Sequence, residues 1–173
     1  PLVVIGDGGK YKQQVKEYIK NNNLQQLVYF LSEQPVTQSL TSGQFDEIAP
    51  GVRRLVAFNA SYMTGPGTNT YLLGSERFVV IDPGPAEEVH TRRILEETAG
   101  RIDAVLVTHT HRDHSPAAQV IAAQTGAALV GRGPPGDGRQ DLDFAPTRYL
   151  EDGDIIAIAG RRQDRRAASH GLQ

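Results

Sequence analysis

The sequence predicts an α/β fold, and three stretches predict it. Ile102-Asp103-Ala104-Val105-Leu106-Val107 is a short apolar run of the kind that forms a strand buried on both faces. Residues 116–125 have the character of a short helix closed by Gly126, and Ala127-Ala128-Leu129-Val130 follows as a second apolar run. Upstream, residues 46–58 and 67–82 hold strand-like runs broken by Pro50-Gly51 and Gly74-Ser75. Strands that alternate with helices give a sheet with parallel pairs.

The elements read in order as follows. Leu2-Val3-Val4-Ile5 is an apolar strand and Gly6-Asp7-Gly8-Gly9 a glycine turn. Residues 10–22 show helical spacing at Tyr11, Val15, Tyr18 and Ile19, and Leu27-Val28-Tyr29-Phe30-Leu31 closes a short βαβ segment with parallel strands. After the strand-like runs, residues 86–98 read as a helix with Val89, Ile94 and Leu95 on its apolar side and His90 exposed. Strand 102–107 leads into a polar loop, and Ser115-Pro116 then opens the next helix, with Ser115 as N-cap and Pro116 at the first helical position. Residues 131–139 form a glycine-proline loop, and Ile155-Ile156-Ala157-Ile158 is a late strand. Beyond it, Arg161 to His170 has no apolar period, so residues 161–173 are expected to be a disordered or out-of-frame tail.

The chemistry gathers in residues 109–114, His-Thr-His-Arg-Asp-His, which contain three of the five histidines of the chain. His109, His111, Asp113 and His114 offer imidazole and carboxylate, a donor set suited to zinc, with manganese or iron as the other candidates. They follow the C-terminal end of a strand, where α/β sheets place their sites. On a near-extended loop His109 and His111 can reach one metal, while Asp113 and His114 turn toward a second. Such a pair of metals activates water and polarises a substrate oxygen. Asp113 is also the candidate catalytic residue, orienting that water.

Composition narrows the remaining classes. A chain of 173 residues is long enough for one domain with a core. A net charge of −2 gives no field for nucleic acid or an anionic membrane, so neither is expected as a partner, and no apolar run has the length of a spanning helix. There are no cysteines, hence no disulfides and no thiolate ligands. No secretory signal is visible, and a cytoplasmic location is expected. All four lysines lie at or before Lys20, and all 14 arginines lie between Arg53 and Arg166. Two readings of this switch stay open: a basic surface helix ahead of an unrelated domain, or two coding sequences joined near Gln34 to Gln38.

The stretch Thr108-His109-Thr110-His111-Arg112-Asp113-His114 resembles the His-x-His-x-Asp-His signature of the metallo-β-lactamase superfamily. Gly65-Pro66-Gly67-Thr68-Asn69-Thr70-Tyr71-Leu72-Leu73-Gly74 resembles an early strand of that fold, and Val79-Val80-Ile81-Asp82-Pro83-Gly84 the next strand and its turn. These motifs resemble most the β-lactamase-like protein 2 and glyoxalase II-like branch, over about residues 36–160. The resemblance implies the N-terminal half of an αββα sandwich, preceded by the short βαβ segment. It implies up to two zinc ions, with His109 and His111 on the first and Asp113 and His114 on the second. Asp82 and Thr108 would support the loop from behind. It also implies hydrolysis of a small-molecule thioester, ester or phosphodiester.

The family's remaining ligands, a histidine on the first metal and a bridging aspartate and a histidine on the second, have no counterpart near Ser169-His170-Gly171. The expectation is therefore a partial domain over 36–160, with little activity of its own and an apolar sheet face open for self-association. Residues 1–35 resemble a βαβ piece of a GT-B glycosyltransferase, through Ile5-Gly6-Asp7-Gly8. A nucleotide-sugar-binding fragment, or a chimeric chain with no evolved function, are the alternatives to the hydrolase.

Overall fold

The computed structural model describes residues 2–4, 40–135, 140–151 and 154–157. The glycine turn, helix and second strand expected within 5–39, the end of the loop at 136–139 and the tail at 158–173 lie outside the described residues. Within them the strands form a seven-stranded sheet whose spatial order follows the chain from Phe45–Ala49 to Arg148–Tyr149, and a two-stranded sheet of Leu2–Val4 and Ile155–Ala157.

Strands β2 (Phe45–Ala49), β3 (Val52–Val56), β4 (Asn69–Gly74) and β5 (Phe78–Ile81) form an antiparallel meander. Gly51 and Gly74 turn the chain between them with φ of +76° and +124°. A Cβ on Gly74 would collide with the carbonyl of Arg77, so this turn requires glycine. Then the sheet changes character. Strands β6 (Ile102–Val107), β7 (Ala128–Gly131) and β8 (Arg148–Tyr149) are added in parallel. Helix α1 (Glu88–Thr98) carries the chain from β5 to β6 and α2 (Ala117–Thr125) from β6 to β7, as parallel pairing demands. Gly126 ends α2 in the left-handed conformation, as expected. The two-residue edge strand β8 has no hydrophobic pattern to announce it.

Alternation along the strands sorts side chains to two faces. Leu72, Phe78, Val80, Val105, Val107 and Leu129 face the helices, where they pack with Ile94, Ala117, Ala118 and Ile121. Leu73, Val79, Ile81, Leu106 and Val130 occupy the other face and pack with Leu150 and Ile156. That second face was expected to lie open and is not: Val79 and Leu106 are each only 2 % exposed. Its cover includes Ile156 on β9 (Ile155–Ala157), whose partner strand is β1 (Leu2–Val4), paired antiparallel with Val3 opposite Ile156.

Two local expectations are corrected. On α1 the buried stripe is His90, Thr91, Ile94 and Thr98, while Val89 is exposed. Positions 90, 94 and 98 share one face by their spacing of four, so His90 falls inward however polar it is. At α2 the N-cap position is Pro116 and no side chain caps it. The Ser115 hydroxyl donates instead to Oδ2 of Asp141 at 2.7 Å, tying the start of α2 to the segment before β8.

Candidate metal centre

The loop between β6 and α2 carries all four predicted ligands, and the strand ladder sets its starting point. Asp82, just past β5, continues the pairing with β6 by donating its N–H to the carbonyl of Leu106 at 2.9 Å. Its backbone is left-handed, with φ of +48°, which is unusual for any residue but glycine. Its carboxylate is spent on the loop opposite. Oδ1 accepts the backbone N–H of Thr108 at 2.8 Å, and Oδ2 accepts the Thr108 hydroxyl at 2.6 Å. The supporting role expected of Asp82 and Thr108 is therefore visible as two hydrogen bonds.

This arrangement fixes a proton on His109. The single hydroxyl proton of Thr108 is donated to Asp82, so the Thr108 oxygen can only accept from Nδ1 of His109, 3.0 Å away. Nε2 of His109 then carries the lone pair, the form that binds a metal. Thr110 follows, buried, with its hydroxyl on Oε1 of Gln140 at 3.0 Å and its carbonyl accepting from Asp141 N at 2.7 Å. With Thr110 turned inward, His109 and His111 project outward together, their ring centroids 4.6 Å apart. The His114 ring lies 4.1 Å from that of His109. Asp113 completes the group, its Oδ2 3.3 Å from Nε2 of His114.

Asp113 is held from the segment just before β4. The Thr68 hydroxyl donates to its Oδ2 at 2.9 Å, and Asn59 grips Thr68 twice: its Nδ2 donates to the hydroxyl at 3.0 Å and its Oδ1 accepts Thr68 N–H at 2.9 Å. These partners lie 45 and more residues from Asp113, so no local spacing connects them to it. Thr70, Gln140 and Asp141 were missed for the same reason.

The charges in the cluster pull the imidazoles apart. Burial lowers the pKa of His109, and the neighbouring His114 and His111 lower it further, against the carboxylates of Asp82 and Asp113. Burial also acts to lower His114, but Asp82, 3.1 Å from its Nδ1, and Asp113 outweigh it and raise the pKa. Nδ1 of His114 is buried and, apart from this approach to Asp82, has no polar partner.

Donor atoms of Asp82, His109 and His114 all lie within 4.8 Å of one another. This set differs from the one expected, since it includes Asp82 and omits His111 and Asp113. Both Asp82 oxygens are engaged by Thr108, which suits a holder better than a ligand. A metal ion fits the donor chemistry here: a bare imidazole Nε2, two more imidazoles and a carboxylate converge at one loop. His90 is a further correction. Expected to be exposed, it is fully buried beneath this loop.

Residues 63–158 match the family described as the Metallo-beta-lactamase superfamily, more than half of the chain. The chain belongs to the metallo-β-lactamase superfamily. Within it, the chain is 42% identical over 72 residues to the beta-lactamase-like protein 2 homolog of Drosophila melanogaster, covering 39% of this chain and 25% of that protein. It is 33% identical over 117 residues to the thioesterase pkgB of Emericella nidulans, covering 65% of this chain and 34% of that protein. Its fold resembles the FEZ-1 metallo-β-lactamase of Legionella gormanii with a TM-score of 0.54 at 14% identity, covering 71% of this chain and 52% of that one. The subclass B3 enzyme BJP-1 of Bradyrhizobium japonicum aligns with a TM-score of 0.51 at 17% identity, over 70% of this chain and 50% of that one. The chain thus spans a quarter to a third of the length of these curated relatives and about half of the solved metallo-β-lactamases. The mixed sheet with its parallel β5-β6-β7 core is that part of the superfamily sandwich.

Proposed function

We propose that the chain carries the metal-binding loop of a zinc-dependent hydrolase whose substrate is a thioester. The observation that supports this best is the convergence of His109, His111 and His114 at the C-terminal end of β6, with Nε2 of His109 left free by the Thr108 contact. His109 and His111 would hold one metal, and Asp113 and His114 a second. Zinc bound there would supply a Lewis acid and ionise water near neutral pH. Asp113, anchored through Oδ2 by Thr68, is the group to orient the attacking water through its other oxygen. In the overall reaction the acyl carbon–sulfur bond breaks, a carbon–oxygen bond to water forms, and the thiol leaves with a proton. The choice of thioester over ester or phosphodiester is supported by relatives named as thioesterases, among them the atrochrysone carboxyl ACP thioesterase of Aspergillus chevalieri, 40% identical over 72 residues.

The test is metal content. The purified chain loaded with zinc and freed of excess should retain it, and the double variant His109→Ala/His111→Ala should lose most of it. Equal zinc in both by elemental analysis overturns the assignment.

A further inference from the structure

We propose that His90 is a positioning residue for the metal centre: through the Thr70 hydroxyl it fixes the left-handed turn at Asp82, and through that turn the loop bearing His109 and His114. This rests on the metal-binding reading above and extends it to a side chain on a different element.

The chain of contacts is short and buried throughout. His90 and Thr70 are both fully buried. The Thr70 hydroxyl donates to the backbone carbonyl of Asp82 at 2.7 Å. Its one proton thus committed, it accepts from Nε2 of His90, 3.0 Å away. Nδ1 has no hydrogen-bond partner of proper geometry, which agrees with the proton lying on Nε2. Burial keeps the ring neutral, its pKa pushed down to about 4 against the pull of the Pro83 backbone.

The same ring seats the next residues. Gly84, with φ of +85°, presents its Cα to the imidazole so closely that a Cβ would stand 2.9 Å from Nε2. Gly84 N–H donates to the carbonyl of His114 at 2.9 Å, and its carbonyl accepts from Ala117 N at 3.1 Å. His90 therefore lies under the turn whose two ends grip the metal loop: Asp82 at Thr108, Gly84 at His114. A left-handed non-glycine residue persists only when its surroundings hold it, and Thr70 with His90 is the buried part of that hold. A purely apolar side chain at position 90 would fill the space but leave the Thr70 oxygen without its donor.

Cobalt(II) is the probe, because its visible d–d absorption reports ligand geometry and its titration reports affinity in one experiment. The full chain is compared with His90→Leu, His90→Gln, Thr70→Val and Ile94→Val. Thr70→Val and His90→Leu should weaken cobalt binding by about tenfold, the scale of outer-shell support, and shift the absorption bands. His90→Gln, whose amide can still reach Thr70, should stay within about threefold of the unsubstituted chain on the same scale. Ile94→Val, one turn along the same helix and outside these contacts, should lower thermal stability while leaving spectrum and affinity unchanged. If Ile94→Val weakens cobalt binding as much as Thr70→Val, or Thr70→Val changes neither affinity nor spectrum, His90 and Thr70 are ordinary core residues. Should His90→Leu fail to fold, Thr70→Val with His90→Gln decides. An absence of cobalt bands in the unsubstituted chain overturns the metal reading itself, and this inference with it.

Discussion

At the scale of single residues, the site depends on protons being in particular places. Thr108 has one hydroxyl proton and gives it to Asp82, and His109 is thereby obliged to keep its own proton on Nδ1. Thr70 repeats the logic one layer deeper with Asp82 and His90. His90 also gives the chain a pH dependence. Its pKa falls from 6.5 to about 4 on folding, so the fold favours the neutral ring. The stability this provides is complete above about 6.5 and is lost progressively as pH falls toward 4. The loss is roughly 3 kcal/mol at most, since each tenfold change in proton affinity is worth about 1.4 kcal/mol. Chemical denaturation at pH 7 and pH 4.5 should show His90→Gln losing less stability on acidification than the unsubstituted chain. Parallel losses in both would show that other groups carry the acid sensitivity. The motif His-x-His-x-Asp-His was legible because its four donors sit within six positions. Thr68, Asn59 and His90 were not, because their meaning arises only across the sheet.

At the scale of elements, the turn Asp82-Pro83-Gly84 joins the sheet to the metal loop. Gly84 has a positive φ and faces the His90 ring at a distance that excludes a Cβ. Gly84→Ala should therefore destabilise the chain by more than about 1 kcal/mol, from backbone strain plus displacement of the ring. It should also weaken zinc retention, since the Gly84–His114 contact moves with it. Thermal melting and elemental analysis check the two effects, and a neutral substitution would mean that the turn can relax without consequence. Strand β6 was readable to its boundaries from sequence, because a run buried on both faces has a continuous apolar pattern. Helix α1 was readable as a helix but not in its facing. Its moderately apolar residues suggested Val89 for the core, whereas packing against β4 selected His90.

At the scale of the whole molecule, both faces of the seven-stranded sheet are covered, one by the helices and the other by a cluster that includes Leu150 and Ile156. Ile156→Ala tests the second cover. A buried isoleucine cut to alanine costs about 2–5 kcal/mol, whereas a change on an open surface stays within about 0.5 kcal/mol. The larger loss is expected, by denaturant titration, since Ile156 is only 5 % exposed. A change within the smaller range would restore the picture of a bare sheet face. Among the described residues no helix is long and apolar enough to cross a membrane.

The family and the strand–loop–helix setting of residues 109–114 were readable from the residues alone. Each of these is written in contiguous residues, where spacing and residue type speak directly. Tertiary structure alone decided that the second sheet face is buried, that β1 pairs with β9, and that Ser115 ties to Asp141 rather than capping α2. It also decided that Asp113 is gripped by Thr68 and that a buried His90 lies beneath the Asp82 turn. These features join residues far apart in the chain. Their energies depend on which face a side chain meets and which single proton is already spent, and neither is fixed until the sheet has assembled.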